Sequence, residues 1–289
     1  MKHLGVLFLA AALGFVGLGT SAFAQKAPKP AATPSEKSPS PNDKAPTAAP
    51  APASSDAAHP AIEPAALEIL KAASDKLSHA KSISFVARGA FDVPARNGQP
   101  LFYLTRSEVL LVRPNKLRVI VPGDGPPSEF YYDGKEVAVF TPYADLIATA
   151  NVSGNLDQAL RAIYEKAGIY FPFVDFIVAD PYKTLTEGLT SAFVIGKSKL
   201  VGDTTTDIVS ISDPHVHLQI WIGSEDKLPR LIWATAADSP EKPRHSVEFS
   251  DWRLEGGAAS KEADFKPHTT ASTRRIPFGR PDAEPAPKP

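Results

Sequence analysis

The sequence contains no cysteine, which excludes two common ways of stabilising or anchoring an exported protein. None of the 289 residues is Cys, so neither a disulfide framework nor a lipid attached through a cysteine thiol is available. An excess of one charge is also missing, because 31 basic residues balance 32 acidic ones. Such a chain creates no strong field for nucleic acid or for an anionic membrane. We expect apolar burial alone to hold the domain together, and no nucleic-acid partner.

Long apolar runs are scarce as well. One run, residues 4–18, follows a short cationic start and precedes the small-residue motif at residues 22–24. This order is typical of a secretory signal peptide, with cleavage after Ala24. The run is shorter than the roughly 20 residues that cross a bilayer, and no later segment is longer or as free of charge. We therefore expect a periplasmic protein whose mature chain has no integral membrane segment.

Composition divides the remainder into three parts. Residues 25–60 are rich in Pro, Ala, Ser and Lys and show no apolar period, which predicts a disordered tether. The tether is either a solubilising spacer or a device that passes the domain through cell-wall polymer. Residues 280–289 form a second Pro-rich segment, predicted as a disordered tail. Between them, residues 61–279 are long enough for a single domain with one sizeable core.

The domain begins with one helix and continues mainly as strands. Apolar residues recur at spacings of three and four from Ile62 to Leu77, which predicts a helix. Alternation then predicts strands, among them residues 116–121, 136–141 and 146–151, with turns at Asn97-Gly98 and Asp133-Gly134. A second helix is expected between Asn155, a plausible N-cap, and Gly168, a left-handed stop. Strands resume from residue 192 to residue 254.

The order of these elements predicts a mostly β, α+β fold. Short connections make consecutive strands antiparallel neighbours, and the few helices cannot cover a parallel α/β sheet. We expect a curved antiparallel half-barrel of about ten or eleven strands that is closed by helices. A curved sheet gathers aromatic side chains on its concave face. The strand aromatics predicted to line an apolar groove there are Phe130, Tyr132, Phe140, Trp221 and Trp233.

An aromatic run supplies the candidate lid of this groove. Residues 169–178 contain four aromatic side chains and a single charge. Such a run must be covered by the protein or must itself cover something. The candidate lid residues are Tyr170, Phe171, Phe173 and Phe176. The alternative is that this run is an ordinary part of the core.

Motifs for chemistry are missing from the sequence. It has no G-x-S-x-G elbow, no Gly-rich phosphate loop before a helix and no H-E-x-x-H motif. His215 and His217 would share one face of a strand and, with Asp213, could ligate a metal. The neighbouring Pro214 favours a solvated hairpin end instead. We therefore expect no catalytic residues, no metal and no cofactor.

Five short motifs carry a resemblance to a known family. They occupy residues 131–135, 168–172, 218–222, 228–230 and 249–252. In this order they resemble a bacterial periplasmic family of unknown function, the domain of unknown function 2092. That family is similar to the Lol-type lipoprotein carriers of the LolA and LolB kind. The resemblance implies a half-barrel of antiparallel strands closed by helices over an apolar cavity.

These observations lead to a non-catalytic function. We expect a periplasmic binding or carrier protein for a hydrophobic ligand, either an acyl chain or a lipidated protein. The alternative is an envelope adaptor or scaffold that binds another protein and no small molecule. The sequence leaves the ligand, the partner protein and the oligomeric state open.

Overall fold

A computed structural model describes residues 61–95, 97–122, 127–238, 242–255 and 261–280. The expected signal peptide with its cleavage site, the tether, and residues 281–289 of the tail lie outside the described residues. The boundaries expected for these three segments remain predictions.

The described residues form four α-helices, twelve β-strands and two short 3-10 helices. The helices are α1 (Pro64–His79), α2 (Leu156–Ala167), α3 (Val174–Ile177) and α4 (Pro181–Thr186). The strands are β1 (Ser82–Pro94), β2 (Pro100–Val112), β3 (Lys116–Val121), β4 (Ser128–Tyr132), β5 (Glu136–Thr141), β6 (Leu146–Asn151), β7 (Ser191–Ser198), β8 (Thr206–Ser212), β9 (Val216–Gly223), β10 (Pro229–Ala236), β11 (Arg244–Leu254) and β12 (Arg274–Ile276). The 3-10 helices are Pro142–Ala144 and Glu262–Phe265.

All twelve strands belong to one curved sheet. Its order is β12-β6-β5-β4-β3-β2-β1-β11-β10-β9-β8-β7, so the long strand β1 joins the two halves by pairing with both β2 and β11. This arrangement confirms the mostly β fold class. The sheet gains a twelfth strand because β12 pairs with β6, and that pair is parallel.

The two faces of the sheet differ in what covers them. Alternate side chains of the central strands, such as Phe85, Leu111, Ile220 and Phe249, are buried in one large core under the helices. We call this face of the sheet the concave face. Helix α1 contacts β7, β8 and α4 on this side through buried residues spaced by three or four. The opposite face is called the outer face below.

Local signals account for the ends of α2. The Asn155 side chain accepts a hydrogen bond from the Gln158 N–H, while the Gln158 side chain accepts one from the Asn155 N–H. This capping box satisfies two N–H groups at the start of the helix. Gly168 ends the helix with φ 68°, a conformation that glycine adopts without strain. The expected start and stop of α2 are confirmed.

Turn chemistry also places the β4–β5 hairpin. The Asp133 Oδ1 atom accepts hydrogen bonds from the N–H groups of Lys135 and Glu136, both at 2.9 Å. Gly134 follows with φ 96°. Asp133 is therefore a turn residue, as the Asp-Gly pattern predicts.

Candidate functional site

The candidate site is the concave face, where residues 169–178 lie against the sheet. We call these residues the aromatic segment. The Phe171 ring contacts the Phe130 ring of β4, with 5.3 Å between centroids, and it stacks on Phe173 at 5.5 Å. The Phe173 ring contacts Phe85 of β1 edge-on at 5.4 Å. The aromatic segment thus contacts both halves of the sheet.

A second group of rings continues this contact towards β11. Phe176 lies 5.7 Å from the Phe249 ring, and Phe249 lies 5.6 Å from Trp252. Phe173 and Phe176 are only 1% and 3% exposed. In this conformation the aromatic segment fills the concave face with its own side chains, so these rings belong to the packed core.

The backbone hydrogen bonds of the aromatic segment are few and mostly local. The segment follows the left-handed Gly168 and contains only the four-residue helix α3. Within it, the Val174 N–H donates to the Phe171 carbonyl at 3.0 Å. Immediately after it, the Ala179 N–H donates to the Asp157 carboxylate of α2 at 3.0 Å. Apolar contacts therefore hold the segment more than backbone bonds do.

The only acidic side chain of the segment lies in an unfavourable environment. Asp175 is partly buried on α3, and desolvation raises the pKa of its carboxyl group to about 6. The nearby Tyr170 hydroxyl is also desolvated, which raises the pKa of Tyr170, and the negative charge of Asp175 adds to that increase. A charged Asp175 thus weakens the docking of the segment.

Hydrogen bonds fix two core side chains, Tyr132 and Trp252, that lie next to the aromatic rings. Tyr132 is fully buried, and its hydroxyl donates to the Gly154 carbonyl at 2.9 Å. Trp252 donates its Nε1–H to the Pro229 carbonyl at 2.9 Å while its ring lies 4.5 Å from Phe85. Both side chains satisfy their polar atoms and present apolar surface to the core.

The structure divides the sequence-predicted site residues between the two faces. The concave face carries Phe130 and Tyr132, and the aromatic segment brings Phe171, Phe173 and Phe176 over it. Tyr170 precedes these rings, and its hydroxyl lies near Asp175 of α3 and Tyr164 of α2. Three others lie on the outer face, because they alternate with buried concave residues: Phe140, Trp221 and Trp233.

These three side chains have different neighbours on the outer face. Phe140 is buried in a small cluster with Tyr131 and Ile147. Trp221 lies opposite Leu231 on β10, and Trp233 lines an open pocket at the end of the β1–β2 hairpin.

The site residues predicted from the sequence do not include Phe85, Phe249 and Trp252, although all three contact the aromatic rings described above. The sequence signal that could have identified them is the alternation of Phe85 with Val86 and of Val247 with Glu248. It shows that residues share a face, but not which face the aromatic segment covers.

The histidine pair shows no metal-binding arrangement. His215 Nδ1 lies 2.8 Å from an Asp238 oxygen, and His217 Nδ1 lies 2.8 Å from the Ser212 hydroxyl. Asp213 accepts hydrogen bonds from backbone N–H groups of the turn before β9. Within the part of the chain that the structure describes, no group of three acidic or histidine side chains is placed to hold a metal ion.

Comparison with known proteins gives one family match. Residues 66–279 match the family model described as "Predicted periplasmic protein (DUF2092)". The match confirms the family resemblance and the periplasmic localisation that the sequence predicts. None of the curated proteins matches this chain. Among the described residues, every helix is too short or too polar to span a bilayer.

Solved structures share similarity with most of the chain at low identity. An uncharacterized conserved protein from Thermus thermophilus has a TM-score of 0.43 and 12% identity, covering 74% of this chain and 99% of its own. LprF from Mycobacterium bovis has a TM-score of 0.42 and 11% identity, covering 70% and 98%. A LolA superfamily protein from Nitrosomonas europaea has a TM-score of 0.32 and 13% identity, covering 70% and 97%.

Proposed function

This chain belongs to the DUF2092 family of predicted periplasmic proteins, and from that premise we propose that it is a non-catalytic carrier of apolar ligands. The ligand is an acyl chain, either free or attached to a lipidated protein. It binds on the concave face in the space that the aromatic segment fills in the closed conformation. The aromatic segment is then a lid that the ligand displaces.

The docking of the aromatic segment is the observation that supports this proposal. Phe171, Phe173 and Phe176 insert between the helices and the sheet, yet their backbone contains only the four-residue helix α3. A segment held mainly by side chains can leave the sheet without breaking a long helix or a strand pair. Its departure would expose Phe85, Phe130 and an apolar wall suited to an acyl chain.

The test locks the segment in place. Because the chain has no cysteine, the double variant Asp157→Cys, Ala179→Cys introduces one unambiguous disulfide across a contact of 3.0 Å between backbone and side chain. We expect the oxidised variant to lose uptake of a fluorescent C16 fatty acid and the reduced form to regain it. The two redox states of one protein control for the substitutions themselves.

Two further measurements keep the test decisive. Phe173→Asp, if folded by circular dichroism, should bind the fatty acid more tightly than the wild type, because a carboxylate at this position weakens the docking that the ligand must displace. Native mass spectrometry of protein purified from the periplasm without detergent should show added lipid mass. Unchanged uptake by the locked form, together with a ligand-free mass, would refute the carrier.

The second candidate function is an envelope adaptor, and the outer face favours it. Phe193 and Ile195 of the edge strand β7 are 41% and 47% exposed. On the next three strands, Ile208, Trp221 and Leu231 lie in register with one another. Exposed apolar patches of this kind mark protein contacts. An adaptor would retain a protein partner that Phe193→Asp releases, and fatty-acid uptake would be absent from both the wild type and this variant.

A further inference from the structure

An open pocket of about 230 Å³ lies on the outer face, at the end of the β1–β2 hairpin beside β10 and β11. Strand register brings its wall together: Phe102 of β2 faces Asp92 of β1, and Trp233 of β10 faces Ser246 of β11. Arg244 precedes this position on β11 and also lines the pocket. The pocket is separated from the aromatic segment by the sheet itself.

Two opposite charges line this pocket. Asp92 is partly buried and Arg244 is exposed. No ion pair joins them, and neither forms one with any other of the described residues. A guanidinium group offers a planar fork of donors to a phosphate or carboxylate, whereas a carboxylate accepts from an ammonium group. The pocket therefore presents complementary places for an anion and for a cation.

An aromatic side chain of the pocket, Trp233, also favours the binding of a cation. Trp233 lines the same pocket as Asp92, and the face of its indole ring attracts cations. His245 adds no competing charge at neutral pH, because burial lowers its pKa to about 4. Charge selection in the pocket thus falls to Asp92, Arg244 and Trp233.

Exposed apolar residues continue outward from the pocket. Phe102 is 66% exposed, and Leu104, two residues along on the same face of β2, is 52% exposed. Large apolar side chains grouped at a hairpin end are expected to be covered by a partner or a ligand. A volume of about 230 Å³ is below the range for a drug-sized molecule, about 300 to 1,000 Å³, so only a small group enters.

We propose that this outer-face pocket binds a zwitterionic headgroup, with its phosphate or carboxylate on Arg244 and its ammonium between Asp92 and the Trp233 ring. The chemistry is that of a phosphoethanolamine group, which occurs in phospholipids and in small soluble metabolites. This site is independent of the carrier proposed above, because it lies on the other face of the sheet.

The experiment measures the binding of the full mature chain to three soluble probes by isothermal titration calorimetry. Glycerophosphoethanolamine carries both charges, glycerol phosphate carries the anion, and ethanolamine carries the cation. We expect the zwitterion to bind at least ten-fold more tightly than either half. Arg244→Gln should lower the affinity for the zwitterion and for glycerol phosphate by about ten-fold or more, since hydrogen bonds to charged groups are the strong ones. Asp92→Asn should lower the affinity only for the zwitterion and for ethanolamine.

Vesicles of phosphatidylethanolamine and phosphatidylcholine distinguish the two sources of the headgroup. Flotation of the wild type with vesicles, reversed by glycerophosphoethanolamine, assigns a lipid headgroup, whereas binding of the soluble probe without flotation assigns a free zwitterion. Arg275→Gln, which removes an exposed arginine from β12, is the matched control and should bind as the wild type does. Equal binding of zwitterion and glycerol phosphate, absence of binding, or unchanged affinity in both pocket variants would overturn the proposal.

Discussion

Replacing Asp175 by Asn tests how the aromatic segment is held. The carboxyl group has an ordinary pKa near 3.8, and desolvation raises the pKa to about 6 in the folded protein. A difference of about two pKa units corresponds to about 3 kcal/mol between the two protonation states. Because the folded state binds the proton more tightly, the free energy of unfolding falls as the pH rises from about 4 to about 6. Asp175→Asn removes this loss.

The assay is urea unfolding followed by tryptophan fluorescence from pH 4 to pH 8. We expect the variant to exceed the wild type by up to about 3 kcal/mol at pH 8 and to approach it near pH 4. Asp203→Asn controls for the loss of one negative charge, because Asp203 is exposed in the turn between β7 and β8. A difference between Asp175→Asn and wild type that stays constant with pH would refute the reasoning.

Three further substitutions test the core, the exposed edge of the sheet and a second buried group. Phe173→Ala should lower the free energy of unfolding by about 3 to 5 kcal/mol, since it leaves a cavity in the core, whereas Phe193→Ala at the exposed edge should cost less than about 1 kcal/mol in the same denaturation assay. His245 has an ordinary pKa of 6.5 that burial lowers to about 4, so its contribution to stability is present above about pH 6.5 and is lost as the pH falls towards 4. His245→Gln should remove this loss of stability at acid pH. If the free energy of unfolding of the variant falls between pH 6.5 and pH 4 as it does in the wild type, the loss is not due to His245.

Helix α2 and the strands β3, β5 and β6 could be predicted from the sequence because their signals are local. Asn155 and Gln158 form a cap within one turn, and Gly168 ends the same helix. The expected residues 116–121, 136–141 and 146–151 coincide with the observed strands. Alternation and turn chemistry decide such elements without reference to the rest of the chain.

The assignment of aromatic residues to a face could not be predicted in the same way. Strands β4 and β5 are apolar on both faces, because Phe130 packs in the concave core while Tyr131 and Phe140 form a separate outer cluster. The alternation of residues in these two strands therefore does not indicate which face lies under the helices. The sequence also predicts Trp221 and Trp233 in the groove, and it is their alternation with Ile220, Ile222 and Ile232 of the concave core that places them on the outer face. Strand β12 has three residues, too few for any periodic signal.

Energetics link the closed conformation to the ligand that we propose. Burial of each large apolar side chain is worth about 1.5 to 3 kcal/mol, so undocking Phe171, Phe173 and Phe176 costs about 5 to 9 kcal/mol. A buried methylene of the ligand returns about 0.8 kcal/mol. The burial of about six to eleven ligand methylenes is therefore needed to balance the free-energy cost of undocking the segment. A carrier built in this way rejects short fatty acids and accepts chains of a dozen carbons or more, while its apolar wall stays covered when no ligand is bound.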